Sequence, residues 1–170
     1  MEIERKWLFD DLFYRDIKED VKRVGYNRYG QAYLSICPEI RIRWKQGLNG
    51  EKSYKLCVKS KGKIERIEVE KDLTEDEFNQ LMIVGNLKAE DFIIKDTLLF
   101  EDAGGNILAV GNTDIYRDTR FVYGEIEFKS VEEANAFVTP EWFGKEVTED
   151  DYYKMANYWK RTRIDTIEAR

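Results

Sequence analysis

At 170 residues the chain has the length of one domain, enough to bury a core without disulfides or structural zinc. Hydrophobic residues at 42% and charged residues at 36% exclude a disordered chain, and no run approaches the roughly 20 apolar residues of a spanning helix. A net charge of −6 opposes general nucleic-acid binding, and the absence of histidine removes Ser-His-Asp and Cys-His nucleophile systems and most catalytic zinc sites.

The opening Met1 to Lys6 has neither the apolar core nor the cleavage site of a secretory signal, so a cytoplasmic protein beginning here is expected. Residues 2–9 alternate as a strand, with Glu2, Glu4 and Lys6 on one face and Ile3, Trp7 and Phe9 on the other. A helix is expected over 15–24, then strands over 32–36 and 40–46, where Arg41 and Arg43 oppose Ile40, Ile42 and Trp44. Gly47 to Gly50 signals a hairpin into a strand over 53–60, which sets Lys55 and Lys59 against Tyr54, Leu56 and Val58. The stretch Gly47 to Ser53 has a superficial look of a phosphate-binding loop, but its spacing is wrong and a strand follows it. After the turn at Lys61-Gly62-Lys63, residues 63–72 place Arg66, Glu68 and Glu70 opposite Ile67 and Val69.

Thr74 with Glu77 forms a capping box for a helix carrying Phe78, Leu81 and Met82, which Gly85 stops. Strands follow over 92–101, with Lys95, and over 107–117, with Asp114, joined by a turn at Ala103 to Asn106. The last strand, 121–129, carries Glu125 and Glu127. Ser130 with Glu133 opens a short helix through Phe137, and Thr148 with Asp151 opens a C-terminal one bearing Tyr152, Met155, Tyr158 and Trp159. Cys37 and Cys57 read as reduced packing residues within strands, and the four tryptophans as packing rather than base-stacking residues.

About eight sequential strands and few helices give a single α+β domain over 1–170. Its polar strand faces hold seven cations (Lys6, Arg41, Arg43, Lys55, Lys59, Arg66, Lys95) and seven anions (Glu2, Glu4, Glu68, Glu70, Asp114, Glu125, Glu127). An antiparallel sheet with one solvated side would also alternate, but its outer face would mix in Ser, Thr, Asn and Gln. Charge at nearly every step favours closure into a barrel with a charged interior and helices packed outside. Such a channel suits a polyphosphate together with a hard divalent cation, and the chemistry they support is phosphoryl transfer to water.

In their order along the chain the residues resemble a known family. Glu2-Ile3-Glu4-Arg5-Lys6 is followed by Gln31 to Ser35, Ile40 to Arg43, Tyr54 to Lys59, Arg66 to Glu70, Gly124 to Phe128, Trp142 to Thr148, then Tyr152, Tyr153 and Asn157. This succession is similar to the CYTH domains, or triphosphate tunnel metalloenzymes, of the bacterial inorganic triphosphatase kind. The resemblance implies an eight-stranded antiparallel tunnel. It implies that Glu2, Glu4 and Glu127 hold a catalytic Mg2+ or Mn2+, with Glu68, Glu70, Asp114 and Glu125 near a second metal or the attacking water. Lys6, Arg41, Arg43, Lys59, Arg66 and Lys95 would grip the phosphates, Lys55 being the weaker match, and the C-terminal helix would plug or line one mouth through Tyr153 and Lys154.

The sixth strand departs from the family's Lys-x-Arg, reading Lys95-Asp96-Thr97, so one phosphate-binding arginine is missing, with Arg117 or Arg120 the candidates to replace it. The expected activity is metal-dependent hydrolysis of a linear triphosphate, inorganic tripolyphosphate first, since no base-specific pocket is evident. Hydrolysis of a nucleoside or thiamine triphosphate, a class IV adenylyl cyclase and a non-catalytic polyphosphate-binding module stay open as alternatives. The expected partner is a triphosphate-containing small molecule, not a nucleic acid or a membrane, with the protein a monomer or homodimer.

Overall fold

The computed structural model describes residues 1–10 and 21–165. Nine strands run in the order β1 (Glu2–Phe9), β2 (Lys22–Ile36), β3 (Glu39–Gln46), β4 (Lys52–Lys59), β5 (Glu65–Arg66), β6 (Glu68–Leu73), β7 (Ile93–Glu101), β8 (Ile107–Thr113) and β9 (Phe121–Glu127). Three helices accompany them: α1 (Glu75–Val84), α2 (Val131–Ala136) and α3 (Met155–Trp159), the last continuing into a π turn at Lys160–Ile164. No described helix is long and apolar enough to cross a membrane.

All strand pairs are antiparallel, and the sheet order is β5-β1-β9-β8-β7-β2-β3-β4-β6. Its two ends, β5 and β6, are neighbours in the chain, separated only by Ile67. They are halves of one bent strand: Glu65–Arg66 pairs with β1, and Glu68 onward pairs with β4. The sheet therefore closes on itself as a barrel, and the count of nine against the expected eight reflects the break at Ile67.

The β2 strand is longer than alternation suggested. It begins at Lys22, so the helix expected over 15–24 is not formed at Lys22 to Val24, while 15–20 lie outside the described residues. Gly25 and Gly30 interrupt the alternation there. Gly30 pairs with Trp44, whose indole would lie 2.2 Å from any Cβ at that position, so the strand needs glycine for the ring to pack. The β8 strand is shorter than expected, ending at Thr113 because Asp114 takes a left-handed φ of 58°. Cys37 sits in the turn between β2 and β3 and is exposed, whereas Cys57 is buried within β4.

The apolar strand faces point outward under the helices. Thr74 and Glu77 make the expected reciprocal cap, and α1 lays Phe78 on Ala32, Ile42 and Phe92. Ser130 caps α2 through the Glu133 amide, and α2 with Phe137, Trp142 and Phe143 covers Trp7, Val110, Val122 and Ile126. Trp7 is fully buried, and truncating such a residue costs about 3–5 kcal/mol. A third cluster joins Tyr33, Ile93 and Tyr123, which share the inward faces of their strands with Arg41, Lys95 and Glu125, to Met155, Ala156 and Trp159 of α3. The α3 helix thus plugs one end of the barrel. Its start differs from expectation: Asp150 caps the short turn at Asp151–Tyr153, while Thr148 accepts from the Lys6 amide and donates to Glu146.

Candidate active site

The barrel encloses a cavity of about 1070 Å³. Because side chains two apart share a face, β1, β3, β6 and β9 each deliver more than one charge to the wall. The cavity is lined by Glu2, Glu4 and Lys6 from β1, Arg41 and Arg43 from β3, and Lys59 from β4. Arg66, Glu68 and Glu70 come from the bent closing strand, Lys95 from β7, and Glu125 and Glu127 from β9. Twelve of the thirteen residues expected at the site therefore converge, from seven strands.

Asp114 is the exception. It is 2% exposed at the end of β8, outside the lining, where Arg163 donates to both of its oxygens at 2.6 and 2.9 Å and Tyr158 donates at 2.8 Å. The left-handed turn takes its side chain off the inward row that strand alternation had extended to it. Lys55 also falls outside the lining, bound to Glu70 at 2.7 Å. Neither Arg117 nor Arg120 lines the cavity, and Arg117 donates instead to the carbonyls of Glu90 and Thr162. The Thr97 hydroxyl is buried with no hydrogen-bond partner.

The cations differ in how they are compensated. Lys59 donates to Glu2 and lies 3.1 Å from Glu68; Arg66 reaches Glu2 at 2.5 Å and both Glu4 and Glu39 at 3.4 Å. Lys6, Arg41, Arg43 and Lys95 meet carboxylates only between 3.4 and 4.0 Å. Burial lowers the Arg43 pKa, and the charge of Arg41 lowers it further. Lys95 is pushed down to about 8 by burial, with Lys6, Arg43 and Arg41 adding to the fall against the opposing pull of Glu125. Burial would raise Glu125, but Lys95, Lys6, Lys59 and Arg41 hold it down at about 2, ionised. The Arg41 Nε is buried with no partner. This side of the cavity carries positive charge crowded in want of an anion.

The carboxylates show the mirror image. Glu4 and Glu127 face each other across the β1–β9 pair. The Glu4 carboxyl is raised by burial, with Glu125 and Glu2 adding to it. Glu127 is raised by burial and then by Glu2, Glu68 and Glu4, and it makes no ion pair among the described residues. Carboxylate oxygens are the donors a hard divalent cation such as Mg2+ or Mn2+ takes, and among the described residues the candidate ligand atoms that lie within 4.8 Å of one another are those of Cys57, Glu68 and Glu70. Cys57 donates to Glu68 at 2.9 Å, and burial pushes its thiol up to about 12, which keeps it protonated. It was expected as a packing residue within a strand, and it sits within β4 with its thiol on the charged side.

Among the lining residues that sequence reasoning did not assign to the site are Gln31, Tyr33, Glu39 and Tyr123. The Tyr123 hydroxyl accepts from Lys95 at 2.7 Å, and its ring lies under both Lys95 and Lys6. Glu39 shares its strand's face with Arg41 and Tyr123 with Glu125, so alternation was the available signal for those two, whereas Gln31 and Tyr33 lie on β2 opposite Arg43 and Arg41 and show only once the β2–β3 register is known. Tyr153 and Lys154 line the cavity beside α3, where Lys154 donates to the Gly62 carbonyl at 2.7 Å.

No family model matches the chain. A stretch of 30 residues is 60% identical to an inorganic triphosphatase of Nitrosomonas europaea, spanning 18% of this chain and 20% of that protein. Over nearly full length, the crystal structure of the inorganic triphosphatase NE1496 superposes with a TM-score of 0.58 at 24% identity, covering 93% of each chain. The PH1819 protein from Pyrococcus horikoshii OT3 gives a TM-score of 0.66 at 17% identity, covering 97% of this chain and 99% of that one. The closed antiparallel barrel, its inward charges and these likenesses together give the chain the fold of the CYTH, or triphosphate tunnel, proteins.

Proposed function

We propose that this protein hydrolyses a linear triphosphate, inorganic tripolyphosphate before others, to pyrophosphate and phosphate with Mg2+ or Mn2+. The observation that carries the reading is one cavity whose wall holds both cations that meet carboxylates only between 3.4 and 4.0 Å and carboxylates whose charges raise one another's pKa. A metal-bound phosphoanion satisfies both sets at once, which neither an anion nor a cation does alone. The NE1496 likeness in fold and the short match to an inorganic triphosphatase support the same activity.

Arg41, Arg43, Lys6 and Lys95 bind the phosphate oxygens and stabilise charge that builds on the leaving pyrophosphate. Glu2, Glu4 and Glu127 would hold the divalent cation, which when bound draws charge from the phosphoryl oxygens and acidifies water. Glu68 is held below the usual carboxylate range: burial opposes this, but its contacts with Cys57 and Lys59 prevail. As an ionised group it can orient the attacking water and take its proton as the bond from the terminal phosphorus to the bridging oxygen breaks. Glu70 stands beside it, and Glu125 keeps Lys6 and Lys95 oriented. Walls contributed by Tyr33, Tyr123 and α3 exclude bulk water at the plugged end.

The test is phosphate release from tripolyphosphate, ATP, GTP and thiamine triphosphate, each with Mg2+ and with Mn2+. Tripolyphosphate should be the best substrate. Glu4→Ala and Arg41→Ala should each nearly abolish turnover while keeping the native circular dichroism spectrum. Full activity in both variants rejects the assignment.

A further inference from the structure

Glu2 occupies a site built for an anion. Its two carboxylate oxygens are taken by different cations: Lys59 donates to one, and Arg66 Nε donates to the other at 2.5 Å. The site is enclosed, with Lys59 3% and Glu2 9% exposed. Lys59 ends β4 and Arg66 ends β5, one on each side of the Ser60–Ile67 turn, and Glu2 reaches both because β1 pairs with β5 as the barrel closes. Two cations converging on separate oxygens of one group is the arrangement that grips carboxylates and phosphates alike. Lys6, Arg41, Arg43 and Lys95 have no such partner, since none of these four comes closer than 3.4 Å to a carboxylate.

We propose that Glu2 is an internal counter-anion, which fills the Lys59–Arg66 subsite in the free protein and gives it up to a phosphate group of the entering triphosphate. The inference rests on the triphosphatase reading and adds an order of events to it. A phosphate entering alone displaces the Glu2 carboxylate from its two cations and leaves it buried beside Glu4 and Glu127, which is strongly unfavourable in an enclosed site. A divalent cation entering alone draws Glu2 away, and leaves Lys59 with Glu68 at 3.1 Å and Arg66 with Glu4 and Glu39 at 3.4 Å as their remaining, looser partners. Together they satisfy every charge, so cation and triphosphate bind with positive coupling, equal in both directions.

The experiment is calorimetric titration of tripolyphosphate in excess EDTA at low salt, using the native protein, Glu2→Gln and Glu127→Gln. Each variant removes one carboxylate charge from the same cavity, but only Glu2→Gln takes from Lys59 and Arg66 their closest charged partner. Metal-free tripolyphosphate should bind Glu2→Gln about tenfold tighter than the native protein or more, the scale of close charge-pair couplings, with a much smaller gain in Glu127→Gln. Equal gains in the two variants, or no gain in Glu2→Gln, overturn the proposal.

Should Glu2→Gln not fold, the native protein alone decides. Its affinity for a non-hydrolysable imido analogue of tripolyphosphate, corrected for complex formation in solution, should rise with Mg2+, and an affinity independent of Mg2+ overturns the coupling. These titrations fail separately from the parent reading: a protein that hydrolyses tripolyphosphate but lacks the Glu2→Gln gain loses only the counter-anion, whereas one that neither hydrolyses nor binds it loses both.

Discussion

Lys95 is where burial and function pull hardest against each other. Its stem fits because β8 presents Gly111, where a Cβ would come within 2.7 Å of the Lys95 Cδ, and its ammonium rests on the Tyr123 hydroxyl. With its pKa at about 8 against an ordinary 10.5, the free protein loses this cation as pH rises through about 8. Tripolyphosphate kcat/KM should therefore fall above about pH 8, and kcat, governed by a complex in which phosphate restores the ammonium, should hold to higher pH. The stability effect has the opposite sense. A depressed lysine binds fewer protons folded than unfolded, so it destabilises at neutral pH, and the penalty fades between about pH 8 and 10.5. Lys95→Met should thus abolish the basic limb of the pH–rate profile and most activity, yet raise ligand-free stability at pH 7 by up to roughly 3 kcal/mol in urea unfolding. A variant that loses stability along with activity contradicts this account. Lys95 and the other charged positions were legible because charge at every second residue marks a face. Gln31, Tyr33 and Tyr123 were not, since an aromatic or amide on a strand reads as packing until the strand's inward side is known.

At the scale of elements, local signals held where the cap faces only its own helix. Thr74 with Glu77, and Ser130 with Glu133, do what their spacing predicts. Thr148 has the same local pattern, but the β1 backbone offers it the Lys6 amide, a partner 142 residues away that spacing cannot reveal. The same kind of long-range tie explains Asp114. Strand alternation carried β8 to residue 117, whereas the chain turns at Asp114 so that its carboxylate can receive Arg163 from the π turn after α3. Arg163 also donates to the Phe92 carbonyl, so it fastens the plug to β7 and β8. Arg163→Ala would leave the buried Asp114 charge with the Tyr158 hydroxyl and the Arg117 guanidinium 3.8 Å away, a loss toward the lower end of about 3–5 kcal/mol. The urea midpoint should fall accordingly. A change within error would mean that the plug is held by its apolar contacts alone, through Met155 and Trp159.

At the scale of the whole molecule, the site cannot be separated from the fold. All nine strands place at least one side chain in the cavity wall, β2 through Gln31 and Tyr33 and β8 through Ala109. Closure itself rests on the bent strand at Ile67, whose amide and carbonyl both return to Ser60. In the free protein the interior holds like charges near one another, so ligand-free stability is reduced by repulsion that a bound metal–phosphate complex removes. Ligand binding should then protect the barrel as one cooperative unit. With Mg2+ and a non-hydrolysable imido analogue of tripolyphosphate at about 100 times its Kd, linkage gives roughly 2.7 kcal/mol, or about 5–10 °C in Tm for a domain of this size. Scanning calorimetry should show one transition that moves as a whole. Mg2+ alone and the analogue alone should each shift it far less than the sum implies, because each leaves half of the interior charge unmatched. A ligand that split the transition in two would mean that part of the barrel unfolds independently of the cavity, which is incompatible with a wall shared by every strand.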